Sequence, residues 1–132
     1  GIRSLADAEH GFLGEAAHNW AGFAASPAGD IDTDGVDDVI VGAFRYNSIE
    51  HGLDQVGRAY LILVGELPGP GTHELADADV IFMGDEHWDV AGYKVAGAGD
   101  VNGDGMSDLF IGGWQGDLVD QPGQAWLMLN PN

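Results

Sequence analysis

The chain repeats itself, and that constrains its fold more than any other feature. Leu5-Ala6-Asp7-Ala8 returns as Leu75-Ala76-Asp77-Ala78, an offset of 70 residues. At the same offset Phe12-Leu13-Gly14 falls on Phe82-Met83-Gly84, Ala21-Gly22 on Ala91-Gly92, and Ala28-Gly29-Asp30 on Ala98-Gly99-Asp100. From Leu5 to Phe44 no gap is needed and 15 of 40 positions are identical. A duplication of this length marks stacked structural repeats, because each unit alone cannot bury its apolar face. The copies then differ in one stretch, residues 45–56 against 115–122, before rejoining as Gly57-Arg58-Ala59-Tyr60-Leu61 and Gly123-Gln124-Ala125-Trp126-Leu127. A length difference confined to one stretch reads as a surface loop. The units are therefore expected at 1–71 and 72–132, with residues 66–72 as the link.

Each unit reads as four short strands. They fall near residues 8–13, 22–28, 38–43 and 59–64 in the first copy, and 79–83, 92–98, 108–113 and 125–129 in the second. The third segments, Val39-Ile40-Val41 and Leu109-Phe110-Ile111, are continuously apolar, as for strands covered on both faces. No window has helical periodicity. The 22 glycines agree with an all-β chain rich in tight turns, since glycine suits turns and weakens helices.

The formal charge is −18, with only 4 Lys and Arg. Nucleic-acid and anionic-membrane partners are not expected, because both need basic patches. There is no cysteine, and no apolar run approaches the length of a membrane span.

The chemistry of the chain is concentrated in one loop of each copy, Asp30-Ile31-Asp32-Thr33-Asp34-Gly35-Val36-Asp37-Asp38 and Asp100-Val101-Asn102-Gly103-Asp104-Gly105-Met106-Ser107-Asp108. Oxygen-bearing side chains occupy positions 1, 3, 5 and 9. Ca²⁺ takes six to eight oxygens from carboxylates, amides and backbone carbonyls. The expected ligands are Asp30, Asp32, Asp34 and Asp38, then Asp100, Asn102, Asp104 and Asp108. The backbone carbonyls of Val36 and Met106 would join them, giving two ions per chain. Mg²⁺ suits the loops less well, since it keeps several waters in strict octahedral geometry. An EF-hand is excluded: position 12 is Val41 or Ile111, where the EF-hand needs Glu followed by a helix.

These loops and their flanks, from Phe12-Leu13-Gly14 through Asp30–Asp38 to Gly42-Ala43, and from Phe82-Met83-Gly84 through Asp100–Asp108 to Gly112-Gly113, resemble FG-GAP repeats. Such repeats build the integrin α-subunit β-propeller and occur in many secreted bacterial proteins. The "FG" is present only as F-x-G, and the "GAP" reads Gly42-Ala43-Phe44 and Gly112-Gly113-Trp114; neither departure touches a loop oxygen. The resemblance implies an all-β fold of two four-stranded antiparallel blades, and calcium held by the ten residues named above. It also implies an extracellular or cell-surface location, and a partner-binding face at the end opposite the loops. Trp20, Trp88 and Trp114 are candidates for that face; for Trp114 packing between blades is favoured, and Trp126 is read as packing. Asp85-Glu86-His87-Trp88-Asp89 could do acid–base work, but an acidic surface loop is the better reading, and no signature of catalysis is present.

The expected function is a non-catalytic, calcium-stabilised scaffold for adhesion or recognition. The alternatives are a carbohydrate-binding lectin and the propeller part of a polysaccharide-acting enzyme. Two repeats make about two blades, whereas propellers have four to eight. The chain is thus expected to be either a fragment of a larger propeller or a homo-oligomer. Because each repeat supplies first the outer strand of one blade and then three strands of the next, head-to-tail copies could close a ring. A trimer or tetramer is favoured, with six or eight blades.

Overall fold

The computed structural model describes residues 1–114, 122–129 and 131. Among the described residues nine strands run β1 His10–Leu13, β2 Ala24–Gly29, β3 Asp38–Ala43, β4 Arg58–Ile62, β5 Gly71–Glu74, β6 Val80–Met83, β7 Ala91–Gly99, β8 Asp108–Gly113 and β9 Gln124–Met128. Three single-turn 3₁₀ segments, Leu5–Asp7, Val64–Glu66 and Leu75–Asp77, are the only helical elements among the described residues. None is long and apolar enough to cross a membrane.

The strands form three sheets. The first is antiparallel, in the order β2-β3-β4-β6. Its fourth strand comes from the second repeat: β6 pairs with β4 through Arg58↔Met83, Ala59↔Phe82, Tyr60↔Ile81 and Leu61↔Val80. The second sheet, β7-β8-β9, is antiparallel with three strands. The expectation of two four-stranded sheets therefore holds for the first only. Among the described residues nothing pairs with the outer edge of β9. The third sheet is a two-stranded parallel ribbon of β1 and β5. β5 was not expected; it lies at the edge of the segment read as a link, where Gly69 and Gly71 interrupt any apolar pattern.

The first and second sheets pack face to face. Ile40, Ala59 and Leu61 of the first meet Val95, Leu109 and Ile111 of the second in one buried cluster, with Val80, Phe82, Trp126 and Met128 at its margin. Trp126 is thus a packing residue, as expected. The opposite face of the first sheet buries Val41, Ala43, Tyr60 and Ile62 beneath Leu75, Phe12 and Leu67. β3 is therefore covered on both faces. β8 departs from that expectation, because Phe110 points away from the first sheet and is exposed.

The sheets approach closely at two glycines. A Cβ on Gly42 would stand 2.0 Å from the Gly92 carbonyl oxygen. Gly92 itself has φ +84, in the left-handed region open to glycine.

The duplication extends to the backbone. Left-handed residues recur in pairs 70 apart: His18 and Trp88, Trp20 and Val90, Gly22 and Gly92, Gly29 and Gly99, Thr33 and Gly103, Gly35 and Gly105. A register shift sits at Pro27/Gly29 in one copy and at Gly97/Gly99 in the other. Each bulge lies immediately before an Asp-rich loop and redirects the chain into it.

Candidate metal centre

The two loops are the same scaffold built twice. In the first, the Ile31 N–H donates to Asp38 Oδ2 at 2.9 Å, Asp34 N–H to Asp32 Oδ1 at 3.1 Å, Gly35 N–H to Asp30 Oδ2 at 3.1 Å and Val36 N–H to Asp34 Oδ1 at 2.7 Å. The second repeats all four: Val101 N–H to Asp108 Oδ2 at 2.9 Å, Asp104 N–H to Asn102 Oδ1 at 3.0 Å, Gly105 N–H to Asp100 Oδ2 at 2.8 Å and Met106 N–H to Asp104 Oδ1 at 2.9 Å. Side-chain oxygens accepting N–H groups two to seven residues away curl the chain around a common centre. The left-handed positions, Thr33 and Gly35 or Gly103 and Gly105, allow the curl.

Position 9 has a further duty. Asp38 and Asp108 are almost fully buried. Asp38 Oδ1 accepts the Val64 N–H at 3.0 Å, which ties the loop to the turn following β4. Burial is the main cause holding the Asp38 carboxyl above its ordinary range; the N–H groups of Ile31 and Val64 oppose that shift, and the charges of Asp32 and Asp34 add to it.

The loops differ at the centre. In the first, carboxylate oxygens of Asp30, Asp32 and Asp38 all lie within 4.8 Å of one another. Asp30 Oδ1 is buried and accepts no hydrogen bond. An ion with oxygens at 2.3–2.6 Å admits ligand–ligand separations of this size, and a buried acceptor without a donor is costly unless a cation meets it. These residues fit Ca²⁺. In the second loop Asp100 Oδ1 instead accepts the N–H groups of Gly103 at 2.6 Å and Asp104 at 3.0 Å, and the Asn102 amide donates to Asp104 Oδ2 at 2.8 Å. There the position-3 ligand is an amide, and the first oxygen is turned onto the backbone. Val36 and Met106 lie in their loops at position 7.

At the other end of the strands is a row of five rings. Trp20 meets Phe44 edge-on at 5.6 Å, Phe44 and Phe23 stand 4.6 Å apart, both contact Tyr93 at 5.2 and 5.3 Å, and Tyr93 meets Trp114 at 5.4 Å. The row crosses from the first sheet to the second, with Trp20 and Trp114 about half exposed at its ends. Trp114, expected to pack between the sheets, instead lies on their rim. Phe23, Phe44 and Tyr93 were missed; their signal in the sequence was the aromatic match of Phe23 with Tyr93 and of Phe44 with Trp114 at offset 70. Trp88 is not in the row: at offset 70 it matches His18, while Trp20 matches Val90.

The Asp85–Asp89 run is a turn. Buried Asp89 Oδ2 accepts the N–H groups of Asp85 at 2.8 Å and Glu86 at 2.9 Å, and His87 Nδ1 accepts the Asp54 N–H at 3.0 Å. These groups hold two loops together.

Antiparallel sheets packed face to face, with a strand of one repeat completing the sheet of the other, define a repeat protein of the β-propeller kind. Comparison with known proteins specifies which. Integrin α-5 of Xenopus laevis is 32% identical over 113 residues, 84% of this chain and 10% of its own length. Integrin α-PS2 of Drosophila melanogaster is 35% identical over 85 residues, 63% of this chain and 6% of its own, and integrin α-8 of Mus musculus 32% over 103 residues, 76% and 9%. No family model matches the chain. The chain is made of integrin α-like FG-GAP repeats, and it spans a tenth or less of the length of these relatives.

Proposed function

We propose that the chain is a non-catalytic β-propeller scaffold, stiffened by calcium and serving adhesion or protein recognition outside the cell. Its repeats are residues 1–71 and 72–132, each with one ion. The ligands are Asp30, Asp32, Asp34, Asp38 and the Val36 carbonyl in the first, and Asp100, Asn102, Asp104, Asp108 and the Met106 carbonyl in the second. Two observations carry this reading together: carboxylate oxygens of Asp30, Asp32 and Asp38 gather within 4.8 Å of one another, and Asp30 Oδ1 is buried with no donor. The first loop is the tighter site, since it offers a carboxylate where the second offers the Asn102 amide. The ion neutralises clustered carboxylates in a chain of formal charge −18 and fixes the β2–β3 and β7–β8 connections.

The aromatic row supports recognition at the opposite end. Trp20 and Trp114 hold half-exposed rings at the ends of the row, with Phe23 45% exposed between them, a surface suited to anchoring a protein partner. Trp88 stands near that end without joining the row. The likeness to integrin α subunits supports the extracellular location.

Thermal unfolding in calcium and in chelator tests the reading. At a hundredfold excess over Kd an ion that binds only the folded form adds about 2.7 kcal/mol. At roughly 2.1 cal/mol/K per residue of unfolding entropy, that raises Tm by about 10 °C. Identical melting in the two conditions refutes it.

A further inference from the structure

Away from the Asp-rich loops, His10 of β1 and His73 of β5 bring two imidazole nitrogens together. His10 Nδ1 and His73 Nε2 stand 3.0 Å apart, with the ring centroids at 5.3 Å. The parallel ribbon sets this distance. In its register His73 lies opposite Phe12, while His10 lies opposite Gly71, where no side chain occupies the space beside its ring. The two imidazoles are thus diagonal neighbours on one face of the ribbon. Phe12 also contacts the His73 ring, at 5.6 Å, and is itself packed on the first sheet. Both histidines are half-buried.

With nothing bound, one imidazole donates its N–H to the other. A neutral imidazole carries its proton on either nitrogen, so the donor ring can place that proton on its far nitrogen instead. Both facing nitrogens then offer lone pairs, with no net gain or loss of protons. Imidazole nitrogens bind a transition ion such as zinc at ~2.0–2.1 Å. At that bond length, nitrogens 3.0 Å apart subtend about 90–97° at the ion. This is the angle between neighbouring ligands in square-planar and octahedral coordination. A tetrahedral ion would need the nitrogens about 3.3–3.4 Å apart. Square-planar ligation by nitrogen selects Cu²⁺ or Ni²⁺, and among first-row divalent ions Cu²⁺ binds most tightly. A turn of each ring about its Cβ–Cγ bond aims the two lone pairs at the ion.

The surroundings attract a cation. His73 stands in the wall of a cavity of about 290 Å³, lined also by Glu66, Glu74, Asp77 and Asp79 and by no lysine or arginine. Among the described residues no third imidazole or carboxylate completes a three-ligand set with the pair, so water takes the remaining positions. We propose that His10 and His73 form a two-imidazole site for Cu²⁺, with Ni²⁺ as the second ion of the same class. Ca²⁺ takes oxygen ligands and does not compete for it. The bound ion clamps β1 to β5, and so ties the first strand of one repeat to the strand that leads into the next. The site shares no residue with the Asp-rich loops, so it stands or falls apart from the calcium reading.

The test titrates the full 132-residue chain with Cu²⁺ in saturating calcium, which keeps the Asp-rich loops occupied. Electron paramagnetic resonance and thermal melting are the readouts. One Cu²⁺ per chain should give a tetragonal spectrum split by two nitrogens and should raise Tm. His10→Gln and His73→Gln should each lose the two-nitrogen pattern and the rise in Tm. Affinity in each should fall roughly tenfold or more, since removing even a ligand's hydrogen-bond partner costs that much. His87→Gln, in the Asp85–Asp89 turn, should leave spectrum and melting unchanged. A rise in Tm that survives in both variants, or a wild-type spectrum without two nitrogens, overturns the proposal. So does a wild type whose Tm exceeds that of the variants by the same margin with and without Cu²⁺, which leaves the pair a hydrogen bond alone. The wild-type spectrum decides by itself should a variant fail to fold.

Discussion

Asp38 and Asp32 both contribute to the first loop, and they should respond oppositely when the ion is absent. Asp38 is buried and accepts two backbone N–H groups, from Ile31 at 2.9 Å and Val64 at 3.0 Å. Asp38→Ala orphans both, and a buried unsatisfied N–H costs about 1–3 kcal/mol. Relief from burying a carboxylate, whose raised pKa shows burial disfavouring its charge, offsets part of this. The net loss is about 2–4 kcal/mol. With an unfolding entropy near 0.28 kcal/mol/K for 132 residues, Tm falls by roughly 10 °C. Asp32 is only half-buried and accepts one N–H, from Asp34 at 3.1 Å. An amide can do the same, as Asn102 does for Asp104 at 3.0 Å. Asp32→Asn should therefore keep its melting temperature in chelator, or gain slightly by removing one repelling charge, and lose most of the increment that calcium gives. Calorimetry of both variants with chelator and with calcium is the assay. If Asp38→Ala melts within a degree or two of wild type in chelator, the account of Asp38 as the loop's anchor is wrong. If Asp32→Asn loses as much as Asp38→Ala there, the separation of scaffold from ligand is wrong.

Gly42→Ala would drive a Cβ to 2.0 Å from the Gly92 carbonyl, which is backbone and cannot swing aside. A loss of about 3 kcal/mol is expected in urea titrations, at the upper end for overpacking, whereas Gly35→Ala meets no atom within 4 Å and is strained only through its φ of +90. The Tyr60 phenol is held above its ordinary pKa of 10 by burial first and by the Glu15 carboxylate that accepts its O–H at 2.7 Å. Its contribution to stability is therefore complete below about pH 10 and is lost above it, where the unfolded chain ionises and the folded one does not. Denaturant midpoints should fall more steeply above pH 10 in wild type than in Tyr60→Phe; parallel curves would contradict this.

Sheet order and strand positions were legible because the repeat is long and the apolar runs are short and bounded. The step of β6 into the first sheet followed from treating each unit as an outer strand plus three inner ones. β5 was not legible. Its Gly-Thr-His-Glu sequence has no strand pattern, and it pairs parallel to β1 through its position, with His73 stacked beside His10 at 5.3 Å. The loops were legible as tight turns with oxygen-bearing side chains at alternate positions around a glycine, and the structure curls both of them through those side chains. What could not be read was the asymmetry between the loops. Whether the position-1 oxygen stays open, as in Asp30, or folds onto two N–H groups, as in Asp100, depends on backbone orientation that both sequences permit. The aromatic row was hidden for a similar reason: its rings come from four segments of the chain, and only the packing of the two sheets brings them into line.

The two ends of the strands keep the duplication in different ways. At the loop end backbone and side chains both repeat, four hydrogen bonds matching four. At the ring end the backbone repeats and two positions stay aromatic, Phe23 with Tyr93 and Phe44 with Trp114, but the left-handed position before them does not keep its side chain. Trp20 and Val90 are both left-handed, at φ 59 and 54, and each accepts the N–H of the aromatic residue three positions later, Phe23 or Tyr93. Such a conformation costs a bulky residue of order 1–3 kcal/mol. That cost is incurred twice, with unrelated side chains, so the turn is imposed by the way each repeat enters its inner strand and not by the residue occupying it. The side chain at that position is then free to vary without moving the scaffold. In one copy it is a half-exposed indole with the Arg45 guanidinium 5.5 Å from its ring, and in the other a buried valine. A fold that fixes its backbone so firmly at one rim, while leaving the side chain at this turn free, can diversify the surface there and hold its Asp-rich loops constant at the other.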